Sequence, residues 1–192
     1  MRIIKKFPES AVLVSKVFND VIKKSPVHLP YSSIEFHVRD YNTTIVEDDK
    51  AVICMDHNSP VILNRDVRGI STAIKFELFR VMLRPGFPRE IEDVVVGREM
   101  VLQGLGDDLF YFYYTSLMKR PPVSLIDYVR ASVPWITFRG VDNYNSSFLK
   151  ELLAKLQKKK FPEASKVLNY MCNNKFDEAA KEYKKLFTSE LL

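Results

Sequence analysis

From residue 10 to residue 24 apolar side chains recur at helical spacing. Val12, Leu13, Val17, Val21 and Ile22 make one stripe, with Pro26 just beyond as a stop. The pattern predicts an opening amphipathic helix. After Ser32 the period changes: Ile34, Phe36 and Val38 alternate with polar neighbours, a polar region covers 41–49, and 51–55 and 61–63 are short apolar runs. These predict three strands of one small sheet. From Gly69 onward helical periods take over. Residues 71–83 are closed by Arg84-Pro85-Gly86, 90–103 by Gly104, and 107–119, with acidic residues at its positive end, by Pro121-Pro122. A mixed stretch at 123–144 follows. Then Asn145 or Ser146 can cap a helix reaching Lys160, ahead of helices at 162–171 and 175–187. Helix, small sheet, then helices is the order of an α+β fold.

The expected division is an α+β core over 1–144 and a C-terminal helical bundle over 145–192, because 143–147 is polar and lysine content rises beyond it. Within the bundle, Lys160-Phe161-Pro162-Glu163-Ala164 is echoed by Lys175-Phe176-Asp177-Glu178-Ala179. One echo falls short of the three repeats a solenoid needs. A composition of 46% hydrophobic and 28% charged residues over 192 positions excludes a mainly disordered or fibrous chain. The net charge of +5 is concentrated late, where residues 150–192 hold ten lysines against six acidic residues. Polyanion affinity would therefore centre on Lys155, Lys158, Lys159 and Lys160, which read equally well as a solvated helix face.

No apolar run exceeds six residues, far short of the roughly 20 that cross a bilayer, so no membrane partner is expected. Arg2, Lys5 and Lys6 precede an apolar stretch broken by Ser15 and Lys16, so no secretory leader is expected either. Cys54 and Cys172 lie in no metal or redox spacing. They read as free thiols of a reducing compartment, and a cytoplasmic location follows as an expectation.

The helix at 71–83 carries the candidate chemistry. Ile70, Ile74, Leu78 and Val81 lie on one side and Phe76, Phe79 and Leu83 on another, a pattern that predicts burial. A narrow stripe of Glu77, Arg80 and Arg84 interrupts it. Burying a carboxylate and a guanidinium is costly unless they pair or line a cleft, so the stripe marks an internal ion pair or a site.

Val61-Ile62-Leu63-Asn64 followed by Ile74-Lys75-Phe76-Glu77-Leu78-Phe79-Arg80-Val81 resembles the edge strand and active-site helix of zincin-like metallopeptidases, whose motif is His-Glu-x-x-His. Glu77 falls on the catalytic glutamate, while Phe76 and Arg80 stand at the two histidine positions. Phenylalanine has no lone pair for zinc and arginine carries a fixed positive charge, so the resemblance implies a core without zinc or cofactor and without peptidase activity. A neighbouring cation also favours the ionised carboxylate, against the near-neutral proton affinity a general base needs. Glu92-Asp93-Val94-Val95-Val96 is similar to the second helix of the gluzincin type. On that match Glu92 takes the third-ligand position, Val96 replaces the brace, and Glu99 is a rival for the ligand position.

Other constellations are weaker. His28, His37 and His57 are isolated from one another, and His37 on a strand reads as a half-buried sheet residue. The aromatic run 110–114 reads as core. The six glycines form no phosphate loop and no Gly-x-Ser-x-Gly elbow occurs, so nucleotide-dependent and serine-nucleophile chemistry have no support. The expected function is binding of a protein or peptide by an inactive zincin-like core, in a cleft beside Phe76, Glu77, Arg80, Arg84 and Glu92. The alternative is a nucleic-acid-binding accessory protein using the late lysines, whose affinity would fall steeply with salt. A third class is a hydrolase with a different metal site.

Overall fold

A computed structural model describes residues 2–8, 11–24, 31–84, 86–116, 122–141, 144, 147–158 and 161–188. The chain opens with strand β1 (Arg2–Lys6) and helix α1 (Val12–Lys24), followed by strands β2 (Ser33–Arg39), β3 (Thr43–Glu47) and β4 (Lys50–Asp56). They form a mixed sheet in the order β1-β2-β4-β3, with β1 and β4 parallel to β2 and β3 antiparallel on β4. Parallel neighbours need a crossover, and α1 supplies it between β1 and β2. The α+β expectation holds.

Period-two alternation divides the two sheet faces. Ile34, Phe36 and Val38 of β2 pair in register with Ala51, Ile53 and Met55 of β4, and all six enter the core. Against them α1 places Val14, Val17, Phe18 and Val21, with the Phe18 and Phe36 rings 4.5 Å apart. Glu35, His37 and Arg39 turn to the opposite face.

Residues 61–63, expected as a strand, are helical. They belong to α2 (Pro60–Leu63), because Pro60 in the first turn has its φ already set for a helix and lacks only an N–H that would find no partner there. The zincin-like edge strand placed at 61–64 is corrected accordingly. Two strands escaped the reading, β1 and β3, both at sheet edges where little surface is buried and the apolar signal is weak. In β3 the apolar Ile45 and Val46 are exposed, so alternation there says little.

Helix α3 (Val67–Leu83) begins four residues before the expected start, because Asp66 caps it: its carboxylate accepts from the Gly69 N–H at 3.0 Å. Glycine is required at 69 by close approach. A Cβ there would stand 2.5 Å from Asp66 Oδ2 and 2.6 Å from Val61 Cγ1. Helices α4 (Arg89–Leu102) and α5 (Gly106–Ser116) follow, and the expected continuation of α5 to residue 119 lies outside the described residues. The stretch read as mixed contains α6 (Leu125–Phe138), capped by Ser124, whose side chain accepts from the Asp127 N–H. Pro134 and the β-branched Val129, Val133, Ile136 and Thr137 disguise it in sequence. Pro134 removes only one helical hydrogen bond, and burial of the helix on several sides outweighs the loss. Helix α7 (Ser147–Lys158), a 3-10 turn (Pro162–Ala164), α8 (Ser165–Cys172) and α9 (Phe176–Thr188) complete the chain.

The molecule divides into two compact units. One comprises Met1–Arg84 with Gln103–Ser116, and the other Pro85–Leu102 with Leu117–Leu192. The first unit holds the sheet, α1, α2, α3 and α5, with α3 packed on α1, β3 and α5. In the second, α6 is the hub on which α4, α7 and α8 pack. Residues 145–192 lie wholly within this second unit together with α4 and α6, so the division by packing does not fall at 144/145. The five-residue echo acquires a physical meaning here: Ala164, in the 3-10 turn, and Ala179, on α9, are its equivalent positions and both are fully buried. No helix among the described residues is long and apolar enough to cross a membrane.

Candidate functional site

The amphipathic pattern of α3 places Glu77 and Arg80 one turn apart, and packing on β3 takes that stripe out of solvent. Glu77 is 8% and Arg80 4% exposed. Arg80 Nε donates to Glu77 Oε2 at 2.9 Å, and the Thr44 hydroxyl of β3 donates to the same oxygen at 2.5 Å. Phe76 is buried with its ring centroid 5.4 Å from the Arg80 guanidinium carbon. The histidine position of the resembled motif is thus occupied by a core aromatic, and the second by a cation bonded to the carboxylate.

Arg84, the third member of the stripe, does not join this pair. It ends α3 in the left-handed conformation, φ 46°, a region that costs an L residue roughly 1–2 kcal/mol. Tyr31 holds it there. The guanidinium lies over the Tyr31 ring with its carbon 4.2 Å from the centroid, Arg84 Nε donates to the Tyr31 hydroxyl, and that hydroxyl donates to the Val81 carbonyl at 2.9 Å. Glu92 is half-buried on α4 and belongs to the second unit, as does its rival Glu99.

Sequence reasoning missed a cluster on the outer face of the sheet. Glu35, buried on β2, accepts from Lys50 Nζ at 2.8 Å, His37 Nε2 at 3.0 Å and Lys6 Nζ at 3.2 Å. The Lys50 hydrogen bond, then those from His37 and Lys6, hold the Glu35 carboxyl at about 2, below its ordinary 4.5. With Nε2 donating to Glu35, His37 Nδ1 is left to accept from Arg39, 3.4 Å away. Glu35-x-His37-x-Arg39 at period two was the available signal; Thr44, 33 residues before its partner, left none.

The second unit has its own buried carboxylate. Glu90 on α4 is 5% exposed and accepts from Arg130 of α6 at 2.9 Å and from the Tyr183 hydroxyl of α9 at 2.8 Å. Burial, and then the neighbouring Glu90 carboxylate, push the Tyr183 hydroxyl well above its ordinary range, which keeps it a donor.

His57 is exposed, its Nδ1 2.5 Å from the Arg39 carbonyl, and His28 lies outside the described residues. Among the described residues no three of His, Cys, Asp and Glu gather as metal ligands would. Cys54 is buried and Cys172 half-buried, both as free thiols. Burial raises the Cys54 pKa, against ready thiolate formation. Of the basic-patch candidates, Lys155 and Lys158 lie on α7 with their side chains outside the description, and Lys159 and Lys160 lie outside the described residues altogether. No family model, no curated protein and no solved structure matches the chain.

Proposed function

We propose that this chain is a non-catalytic, zincin-like protein that works by binding an extended segment of a protein or peptide partner. The observation that carries the reading is the double engagement of Glu77 Oε2 by Arg80 and Thr44. A general base must offer a lone pair to a substrate proton or a bound water, and a metal centre needs neutral or anionic donors around it. Here the carboxylate is tied to a guanidinium and a hydroxyl, which suits a structural anion. The reassignment of 61–63 to α2 leaves the resemblance resting on α3 and on the order of elements.

The binding half of the reading draws on β3. This strand ends the sheet, with β4 as its one neighbour among the described strands, and it exposes Ile45 and Val46 with Tyr41 beside it. An outer strand with its backbone groups turned outward is suited to pairing with an extended peptide.

Two measurements test this. Elemental analysis after zinc loading and dialysis should find no stoichiometric metal; about one tightly held zinc per chain would overturn the inactive reading. Selection from a displayed library of linear peptides should enrich sequences that bind the natural chain and lose binding to Ile45→Lys. Failure to enrich any sequence would remove the binding half.

A further inference from the structure

The second unit contains a cleft of about 460 Å³ between α4, the end of α6 and the α8–α9 turn, within the size range of small-molecule sites. Two guanidiniums line it. Arg98, half-buried on α4, spends one of its five donors on the Ile136 carbonyl at 3.1 Å and leaves the remainder of its fork for a ligand. Arg139 is exposed at the end of α6, makes no ion pair among the described residues, and rests over the Trp135 ring with its guanidinium carbon 5.5 Å from the centroid. Two like charges lining one cleft are an electrostatic debit for the folded chain unless something negative sits between them. Burial chiefly, and to a smaller extent the charge of Arg139, lower the Arg98 pKa, while Cys172 raises it. Among the described lining residues Glu99 is the one acidic side chain against two guanidiniums.

The other walls say what kind of anion fits. Phe176 lies under Arg98, with the guanidinium carbon 5.9 Å from its centroid, and Val95 adds apolar surface. Thr137, 2% exposed, also lines the cleft, and its hydroxyl has no hydrogen-bond partner among the described residues.

We propose that this cleft binds a small organic anion, a phosphate monoester or a carboxylate, whose oxyanion is held by Arg98 and Arg139 and whose apolar part packs on Phe176 and Val95. Arginine suits both oxyanions because its planar fork offers parallel donors to two oxygens. The site is independent of Glu77 and of the peptide-binding reading, since every residue in it belongs to the second unit.

Trp135 is the only tryptophan of the chain and lies beneath Arg139, so its fluorescence reports on the cleft through that guanidinium. The full-length protein would be titrated with phenyl phosphate, benzoate and inorganic phosphate, by fluorescence and in parallel by calorimetry. Saturable binding of phenyl phosphate or benzoate is expected, and the tighter of the two identifies the oxyanion. Arg139→Gln, at an exposed position, should weaken it by about tenfold, the loss of one charge-assisted hydrogen-bond donor. Arg98→Gln should do the same if circular dichroism finds it folded, and Lys23→Gln on α1, which removes the same charge from the other unit, should leave affinity unchanged. No saturable binding of either organic anion up to about 10 mM, weaker than any useful recognition, would overturn the proposal. So would equal affinity for inorganic phosphate, or an equal loss in Arg139→Gln and Lys23→Gln.

Discussion

Among the described residues each unit buries one carboxylate on a helix, and the two are held in different ways. Glu77 is paired with Arg80 from its own helix, one turn away, and the partner is itself buried. Glu90 is paired with Arg130 and Tyr183, 40 and 93 residues further along the chain, and the Arg130 side chain is about half exposed. The first pair is local and dry, with the Thr44 hydroxyl of β3 as an added donor from 33 residues away. It demands that both charges lose their water together, so removing one leaves the other buried without its opposite charge. The second is long-range and partly wet, and it joins α4, α6 and α9 at one point. A short-range pair of this kind neutralises a buried carboxylate from within its own helix, whereas a long-range one makes that neutralisation depend on chain far along the sequence.

The sharpest way to break that contrast is to remove the late chain. Ending the protein before Ser147 deletes Tyr183 together with Leu149, Leu152 and Leu156 of α7, all buried in the second unit. Each such leucine contributes roughly 1.5–3 kcal/mol by burial, so the second unit should unfold outright. Hydrogen exchange would register this as lost protection in α4 and α6 with the sheet still protected. Retained protection in α4 and α6 would instead make 145–192 a separable accessory.

Next in size is Arg80→Ala, expected to destabilise by roughly 3–5 kcal/mol in urea unfolding, while a Glu77→Leu/Arg80→Met double variant should lose much less. A loss below about 1 kcal/mol for Arg80→Ala would be the behaviour of a surface pair and would erase the difference between the two carboxylates. Gly69→Ala tests the start of the same helix. Its new methyl would meet Asp66 and Val61, and a loss of about 1–3 kcal/mol is expected from overpacking alone.

On the other side of the comparison, Tyr183→Phe removes one donor from Glu90 and leaves Arg130. A loss of about 1–2 kcal/mol is expected, smaller than for Arg80→Ala because a half-exposed guanidinium and water still serve the carboxylate. The smallest effect is a pH dependence. Glu35 has its carboxyl held down to about 2 from an ordinary 4.5, so what it adds to stability is present in full above 4.5 and is lost as pH falls toward 2. Glu35→Gln should flatten that acid limb of the melting-temperature profile and leave its slope above pH 5 unchanged.

The helices with clean apolar stripes were legible from residues alone: α1, α3, α4 and the α8–α9 pair follow from spacing, caps and breakers, because a helix buries one face of a local segment and writes that face into the sequence. The pairing of Glu77 with Arg80 was legible for the same reason, since helical geometry fixes which residues lie one turn apart. Edge strands β1 and β3 were not legible, because an edge that buries little is not required to be apolar. Helix α6 was hidden by Pro134 and β-branched residues, whose low helix propensity is overridden by packing on α4, α7 and α8. Thr44 on Glu77, Lys50 on Glu35, Tyr183 on Glu90 and the meeting of Arg98 with Arg139 in one cleft were decided by tertiary structure alone. Each brings together side chains whose separation along the chain carries no period, and only the folded packing of distant segments sets the distance between them.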